Sequence, residues 1–395
     1  MQVALYTRAH RAAAGAATRL ASAETVKGCR RGTDSASGPL CAAVGIILVI
    51  VASLGGHSVA RAGTVIIDAA AAYPEAPLWR DGKLYYVEYA GPGIKVWDGR
   101  HFSQFWTGVH CGPAGLAPFG PDHLLVACYD ANTLVEVDLN GKTIGTIDRD
   151  VAGHEFVGPN DFAADDAGGL YISASGVYDV KAPINGTVLY RSRQGIMRVV
   201  ADTLHYPNGL AVSRDGKTLL VAEDLAGRIL AFTIRADGTL GARSVWARLR
   251  DLAPPTLHDD AYNGPDGLKL GPDGNYYIAQ NGSGRVLVVS ESRKLVKMIS
   301  VPTRYVTNVN FGGDGAHSLF ITGVFDASKA PYRGAVYRWT SPPTGGYAVP
   351  PSAASKAAIN GPSFGGLASK VGLMPYDASA REHTGPIDAT IKRFN

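Results

Sequence analysis

Beyond residue 63 the apolar and polar positions of the chain fall into a repeating unit. Each copy opens on a short motif, usually Pro followed by a polar and then a small residue. An apolar run, an Asp-Gly type of turn and a second apolar run follow. The copies read PEAPLWRDGKLYYVEY from Pro74, GPAGLAPFGPDHLLVACY from Gly112 and PNDFAADDAGGLYISAS from Pro159. They continue as PNGLAVSRDGKTLLVAED from Pro207, PDGLKLGPDGNYYIAQN from Pro265 and TNVNFGGDGAHSLFITG from Thr307. The anchor positions are Glu75, Ala114, Asn160, Asn208, Asp266 and Asn308, at intervals of 39, 46, 48, 58 and 42 residues. Asp81, Asp166, Asp215, Asp273 and Asp314 stand six or seven residues further on, and Asp122 fills the same turn in the second copy.

Further runs such as GIKVWDG, TLVEVDLNG, GRILAFTI and RVLVVSES alternate apolar and polar residues and are rich in Val, Ile and Phe, the pattern of half-buried strands. Asp-Gly between two such runs is hairpin chemistry, because Gly takes positive φ at little cost. Four strands in each unit of ~45 residues describe a propeller blade. The chain is therefore expected to be all-β, a six-bladed β-propeller over residues 63–340. Thr64–Asp68 (TVIID) is expected to complete the last blade as its outer strand.

The flanks differ from this body. Leu40–Leu54 is an apolar run that follows Arg30 and Arg31 and precedes Ala60-Arg61-Ala62. Basic segment, short apolar segment and a small-x-small site together predict a cleavable signal within residues 1–62. The run falls short of the ~20 residues of a membrane span, so export to the periplasm or medium is expected, with no membrane attachment afterwards. Residues 341–395 turn to Pro, Gly, Ala and Ser with little periodicity and read as an extension. Gly361-Pro-Ser363-Phe-Gly365 fits G-x-S-x-G there, without the strand and helix that a nucleophile elbow requires.

Composition narrows the chemistry. The formal charge of +4 lies in the leader, since residues 63–395 carry 31 Lys and Arg against 32 Asp and Glu. Such a body offers no basic face for nucleic acid, and a small molecule is the expected partner. Four Cys in 395 residues exclude a disulfide-dense scaffold. Cys111 and Cys128 flank one hairpin-like segment, where a disulfide and two buried thiols both remain open.

Repeat-equivalent anchors of a propeller converge at one mouth of its channel. Glu75, Asn160, Asn208, Asp266 and Asn308 then form an oxygen-rich ring with Ala114 as its gap. Such a ring suits a hard divalent cation, calcium foremost, with manganese, magnesium and zinc as alternatives. No His or Cys occupies an anchor, unlike a structural zinc site. Asn or Asp before Gly is also common turn chemistry, but Glu75 in Pro-Glu-Ala-Pro has no turn role.

Glu75-Ala-Pro-Leu-Trp79, Pro159-Asn-Asp161, Pro207-Asn-Gly-Leu-Ala211 with Asp215-Gly-Lys-Thr-Leu219, Pro265-Asp-Gly-Leu268 and Phe311-Gly-Gly313 resemble, in order, the gluconolactonase/regucalcin (senescence marker protein) family. The resemblance implies a six-bladed propeller with one divalent metal in its channel. It makes Glu75, Asn208 and Asp266 the metal ligands, with Asp266 also the general base. Asn160 matches an asparagine that touches the substrate or lies beside the metal, and Asn308, the remaining amide of the ring, is assigned to the substrate. Two features depart from the family. Its sugar-lactone members carry an Arg where this chain has Gly158, and the segment before Pro265, with His258, Asp259, Asp260 and Tyr262, is longer.

The leading expectation is a metal-dependent hydrolase of lactones or related cyclic esters. The alternatives are a non-catalytic periplasmic binding or scaffold propeller with a structural metal, or a relative acting on phosphotriesters or like strictosidine synthase.

Overall fold

The computed structural model describes residues 63–254 and 263–340. The predicted signal, the segment holding His258, Asp259, Asp260 and Tyr262, and the extension with Ser363 lie outside the described residues. The described chain is a ring of six four-stranded antiparallel sheets.

Blade 1 comprises β2 (Pro74–Arg80), β3 (Lys83–Glu88), β4 (Gly93–Trp97) and β5 (Phe102–Thr107). Blade 2 comprises β6 (Pro113–Phe119), β7 (His123–Cys128), β8 (Thr133–Asp138) and β9 (Thr143–Ile147). Blade 3 follows with β10 (Pro159–Ala164), β11 (Leu170–Ala174), β12 (Gly186–Arg191) and β13 (Met197–Leu204). Blade 4 holds β14 (Pro207–Val212), β15 (Thr218–Glu223), β16 (Arg228–Ile234) and β17 (Leu240–Arg248). Blade 5 holds β18 (Pro265–Leu270), β19 (Tyr276–Gln280), β20 (Arg285–Val289) and β21 (Leu295–Ser300). Blade 6 joins β22 (Tyr305–Gly312), β23 (Ser318–Val324) and β24 (Arg333–Thr340) to the N-terminal β1 (Gly63–Ala72).

The expected closing strand is β1. It pairs antiparallel with β24 from Gly63↔Thr340 to Ala72↔Arg333, with two bulges. One blade thus contains both ends of the propeller, and no blade keeps an open edge toward its neighbour.

The core is divided among the six blade interfaces, and strand periodicity shows how. Along β7, Leu124 and Val126 pack toward blade 1, while Leu125 and Ala127 pack toward blade 3. Alternate side chains of a strand leave opposite faces, so a strand between two neighbours needs apolar residues at every position. The second strands accordingly read as unbroken apolar runs and are buried throughout, as in β11 and β19. Half-burial, expected for the runs GIKVWDG, TLVEVDLNG, GRILAFTI and RVLVVSES, holds in part for β4 and β16 but not for β8 and β20, which are buried almost throughout; the outer strand β21 exposes Val296 and Met298.

Cys111 and Cys128 form a disulfide with their Cα atoms 4.5 Å apart. It ties the loop entering blade 2 to the end of β7, inside the apolar cluster shared with blade 1. A covalent tie of this kind restricts the unfolded chain. Replacing both residues, Cys111→Ala with Cys128→Ala, closes no loop across their 17-residue separation and should lower unfolding free energy by roughly 3 kcal/mol. Urea unfolding of the double variant, with the slope unchanged, checks this.

Candidate active site

The first strands β2, β6, β10, β14, β18 and β22 pack against one another in ring order and surround the axis. Each breaks register with its second strand at the anchor. The shifts fall between Glu75 and Leu78, Pro113 and Gly115, Pro159 and Phe162, Pro207 and Leu210, Pro265 and Leu268, and Val306 and Asn308. A bulge turns one residue out of the pleat and re-aims it. Repeated six times, it carries the anchors from the blade interfaces to the axis.

The small residue after the anchor has a different cause. A Cβ on Gly209 would lie 2.4 Å from the Asp266 carbonyl oxygen, and one on Gly267 would lie 2.3 Å from Oδ1 of Asn308. Neighbouring first strands touch there backbone to backbone, and only Gly permits the approach. Blade 3 has Asp161 at this position. Its carboxylate receives Lys269 Nζ of β18 at 2.9 Å on both oxygens, a bridge that passes over the intervening blade 4.

The five polar anchors Glu75, Asn160, Asn208, Asp266 and Asn308 are all buried. Burial, then the charges of Asp266 and Asp161, push the Glu75 carboxyl well above the usual carboxylate range. Asp266 is pushed up to about 8, mainly by burial and with Asp161 adding to it. Its partners act the other way: Asn281 Nδ2 donates to Asp266 Oδ2 at 2.8 Å, and Asn208 also favours the ionised form. Asn308 accepts the Val309 N–H on Oδ1 at 2.8 Å. Its amide faces Glu75 and favours the ionised form, although Nδ2 does not reach hydrogen-bond geometry. Glu75, in blade 1, thus feels the charge of Asp266, in blade 5.

Asn208, the third expected ligand, lies on β14 of blade 4. Its Oδ1 is buried without a hydrogen-bond partner, a costly state for an amide oxygen. Two buried carboxyl groups, with Glu75 raised further by the charge of Asp266, and an orphaned amide oxygen are oxygen donors of the kind a hard cation takes. Among the described residues no three His, Cys, Asp or Glu side chains gather into a metal-binding group. Lys269, the cation bound to Asp161, is already committed to that pair. Asn160 occupies the equivalent position in blade 3, next to Asp161.

The anchor motifs do not contain every residue gathered here. In blades 1 to 5 the leading Pro pairs with Glu88, Cys128, Ala174, Glu223 and Gln280. The residue after each partner is Tyr89, Tyr129, Ser175, Asp224 or Asn281, a second ring beside the first. Asp224 is buried with Oδ1 unpartnered, and burial followed by the charge of Asp266 holds its carboxyl well above the usual range. The repeat alignment holds the signal for this ring, one residue beyond each second apolar run. Gly158, the position of the family's Arg, has φ +62, and a Cβ there would lie 2.7 Å from the Tyr129 ring. Backbone conformation and a packed tyrosine both oppose a side chain at this point.

The sequence model of the SMP-30/Gluconolactonase/LRE-like region matches residues 73–325. A Pseudomonas putida 6-deoxy-6-sulfogluconolactonase is 28% identical over 253 residues, 63% of this chain and 82% of that protein. Two solved structures share the fold: a Xanthomonas campestris gluconolactonase (TM-score 0.59, 22% identity, 71% of this chain and 90% of that one), and the calcium-binding protein regucalcin of Agrobacterium tumefaciens (TM-score 0.57, 18% identity, 70% and 92%).

The raised carboxyl groups make stability depend on pH. Asp266 titrates near 8 when folded and near 3.9 when unfolded, so between these values the folded state binds more protons. Stability of the metal-free protein should therefore fall as pH rises from 5 to 8.5. Asp266→Asn should flatten this dependence in thermal melts, and calcium affinity of the wild type should rise over the same interval.

The matched region spans all six blades, and the chain belongs to the SMP-30/gluconolactonase/LRE-like family.

Proposed function

We propose that this chain hydrolyses lactones or related cyclic esters with a divalent metal, calcium foremost, held by Glu75, Asn208 and Asp266. The observation that carries the reading is the pairing of Glu75 and Asp266 in one buried field beside the orphaned Asn208 Oδ1. The relatives named for lactones add support. When bound, the metal supplies a positive charge that polarises the lactone carbonyl and stabilises the developing oxyanion.

The chain's own groups do the rest. Asp266 takes a proton from water as the water oxygen bonds to the carbonyl carbon. The ring C–O bond then breaks, and the proton passes to the departing alkoxide, giving the hydroxy acid. Asn281, donating to Asp266 Oδ2, fixes the carboxylate orientation. Asn160 and Asn308 flank the substrate. We also propose export, because the Cys111–Cys128 disulfide suits an oxidising compartment.

Chelator-treated protein on a lactone panel should lose turnover and regain it with calcium, manganese or zinc; equal rates with and without metal would refute the reading. Asp266→Asn should reduce kcat roughly 10²- to 10⁴-fold. Glu75→Gln keeps its size but loses a charge, and calorimetry should show calcium binding weakened at least tenfold, about 1.4 kcal/mol, in a folded protein. A scaffold propeller with a structural ion would melt earlier without metal and show no turnover to lose.

A further inference from the structure

Six tyrosines form an arc on the anchor side of the propeller. From Tyr332 the ring centroids run to Tyr73 at 6.3 Å, Tyr89 at 5.2 Å, Tyr129 at 6.1 Å, Tyr206 at 6.3 Å and Tyr178 at 4.7 Å. They come from blades 1, 2, 3, 4 and 6, and all six are half-buried. The arc faces the axis rather than an interface. Tyr73 feels the charges of Glu75, Asp266 and Asp224, from blades 1, 5 and 4, and Tyr206 feels Asp224 together with Tyr129 and Tyr178.

Two members are held in a costly conformation. Tyr73 and Tyr206 precede Pro74 and Pro207 with φ of 49° and 60°, where an extended backbone is normal before proline. Bulky residues with positive φ concentrate at functional sites.

Four of the hydroxyls are already engaged. Tyr129 donates to the Gly176 carbonyl at 2.6 Å and Tyr89 to Asp130 Oδ1 at 2.9 Å. Tyr206 is hydrogen-bonded to Tyr129, and Tyr178 to Asp224. The arc therefore presents ring faces and edges, with few free donors. Gly158, packed against Tyr129, adds no side-chain donor. Blades 4 and 5 bring Asp224 and Asp266 beside the arc, a poor surface for an anionic substituent.

Resting on the hydrolase reading, we propose that the tyrosine arc seats an aromatic substituent of the substrate, so that this site takes aryl-bearing lactones in preference to polyhydroxylated sugar lactones. Stacked and edge-to-face contacts reward a flat ring. A sugar would instead bury several hydroxyls against ring faces and hydroxyls that are mostly engaged already. The carbonyl then lies over the anchor ring, and the aromatic part over blades 1 to 4.

Lactams resist hydrolysis and separate binding from turnover. Calorimetry on the full-length calcium-loaded protein compares a phenyl-substituted δ-lactam with a polyhydroxylated δ-lactam. The phenyl lactam should bind at least tenfold more tightly. Tyr129→Ala and, separately, Tyr89→Ala should each weaken it about fivefold to tenfold, while Tyr129→Phe, which keeps the ring, should stay within about twofold. Circular dichroism identifies any variant that fails to fold, and two alanine sites keep the test open. Equal or tighter binding of the polyhydroxylated lactam, binding of neither, or unchanged binding in folded alanine variants would overturn the proposal. Preferential binding of the phenyl lactam without turnover of the matching lactone would uphold the arc and refute the hydrolase reading.

Discussion

The antiparallel pairing of β1 with β24 is the constraint on which the remaining geometry rests. A blade packed on one side only would expose an apolar sheet face, so six blades are stable together only if the ring returns to its start. Residues at the two ends of the described chain make that return, Gly63 opposite Thr340. Closure brings β22 against β2, where Thr307 Oγ1 donates to the Pro74 carbonyl at 2.7 Å and Asn310 Nδ2 to the Pro77 carbonyl at 2.8 Å. Glu75 follows Pro74 directly. The first metal-ligand candidate is thus held in place by residues more than 200 positions away, and its geometry depends on the whole ring.

Closure also creates the electrostatic problem that the site embodies. Converging first strands bring Glu75 and Asp266 into one buried region, where separation from water and mutual repulsion oppose ionisation together. The Asp161–Lys269 bridge offsets only its own charge, and the amides of Asn281 and Asn208 offset part of Asp266. A site left under such tension favours either protons or a cation.

Much of this was legible in the sequence because repetition made it so. The anchors, the turn aspartates and TVIID give blade number, strand order and closure, and Glu75 stands out because no turn explains it. Half-burial was the wrong expectation for a third strand such as β20, whose two faces are both covered by neighbouring blades. The sequence left the pairing of Cys111 and Cys128 open; the Cα separation of 4.5 Å follows from register across β6 and β7, which spacing alone does not reveal. Asp161 was quoted inside a motif without a role. Its bridge joins residues 108 positions apart, and no local pattern announces such a contact. Gly158 read as a missing arginine, and only the backbone shows that the position is unsuited to a side chain.

Chemistry in a propeller begins where equivalent positions are made unequal. The anchor ring runs Glu, Ala, Asn, Asn, Asp, Asn, placing its acids in blades 1 and 5. The position after it is small in blades 1, 2, 4 and 5 but is Asp161 in blade 3, where the first strand gains a tie to blade 5. The second ring runs Tyr, Tyr, Ser, Asp, Asn across blades 1 to 5, so aromatic surface lies on one side and polar groups on the other. None of these rings is asymmetric for the sake of folding, since each blade packs with the same alternation whichever residue ends its strand. The inequality gives the mouth a direction. Each flank of the mouth carries a different set of side chains, and the pseudo-sixfold frame is no longer symmetric where its first strands meet.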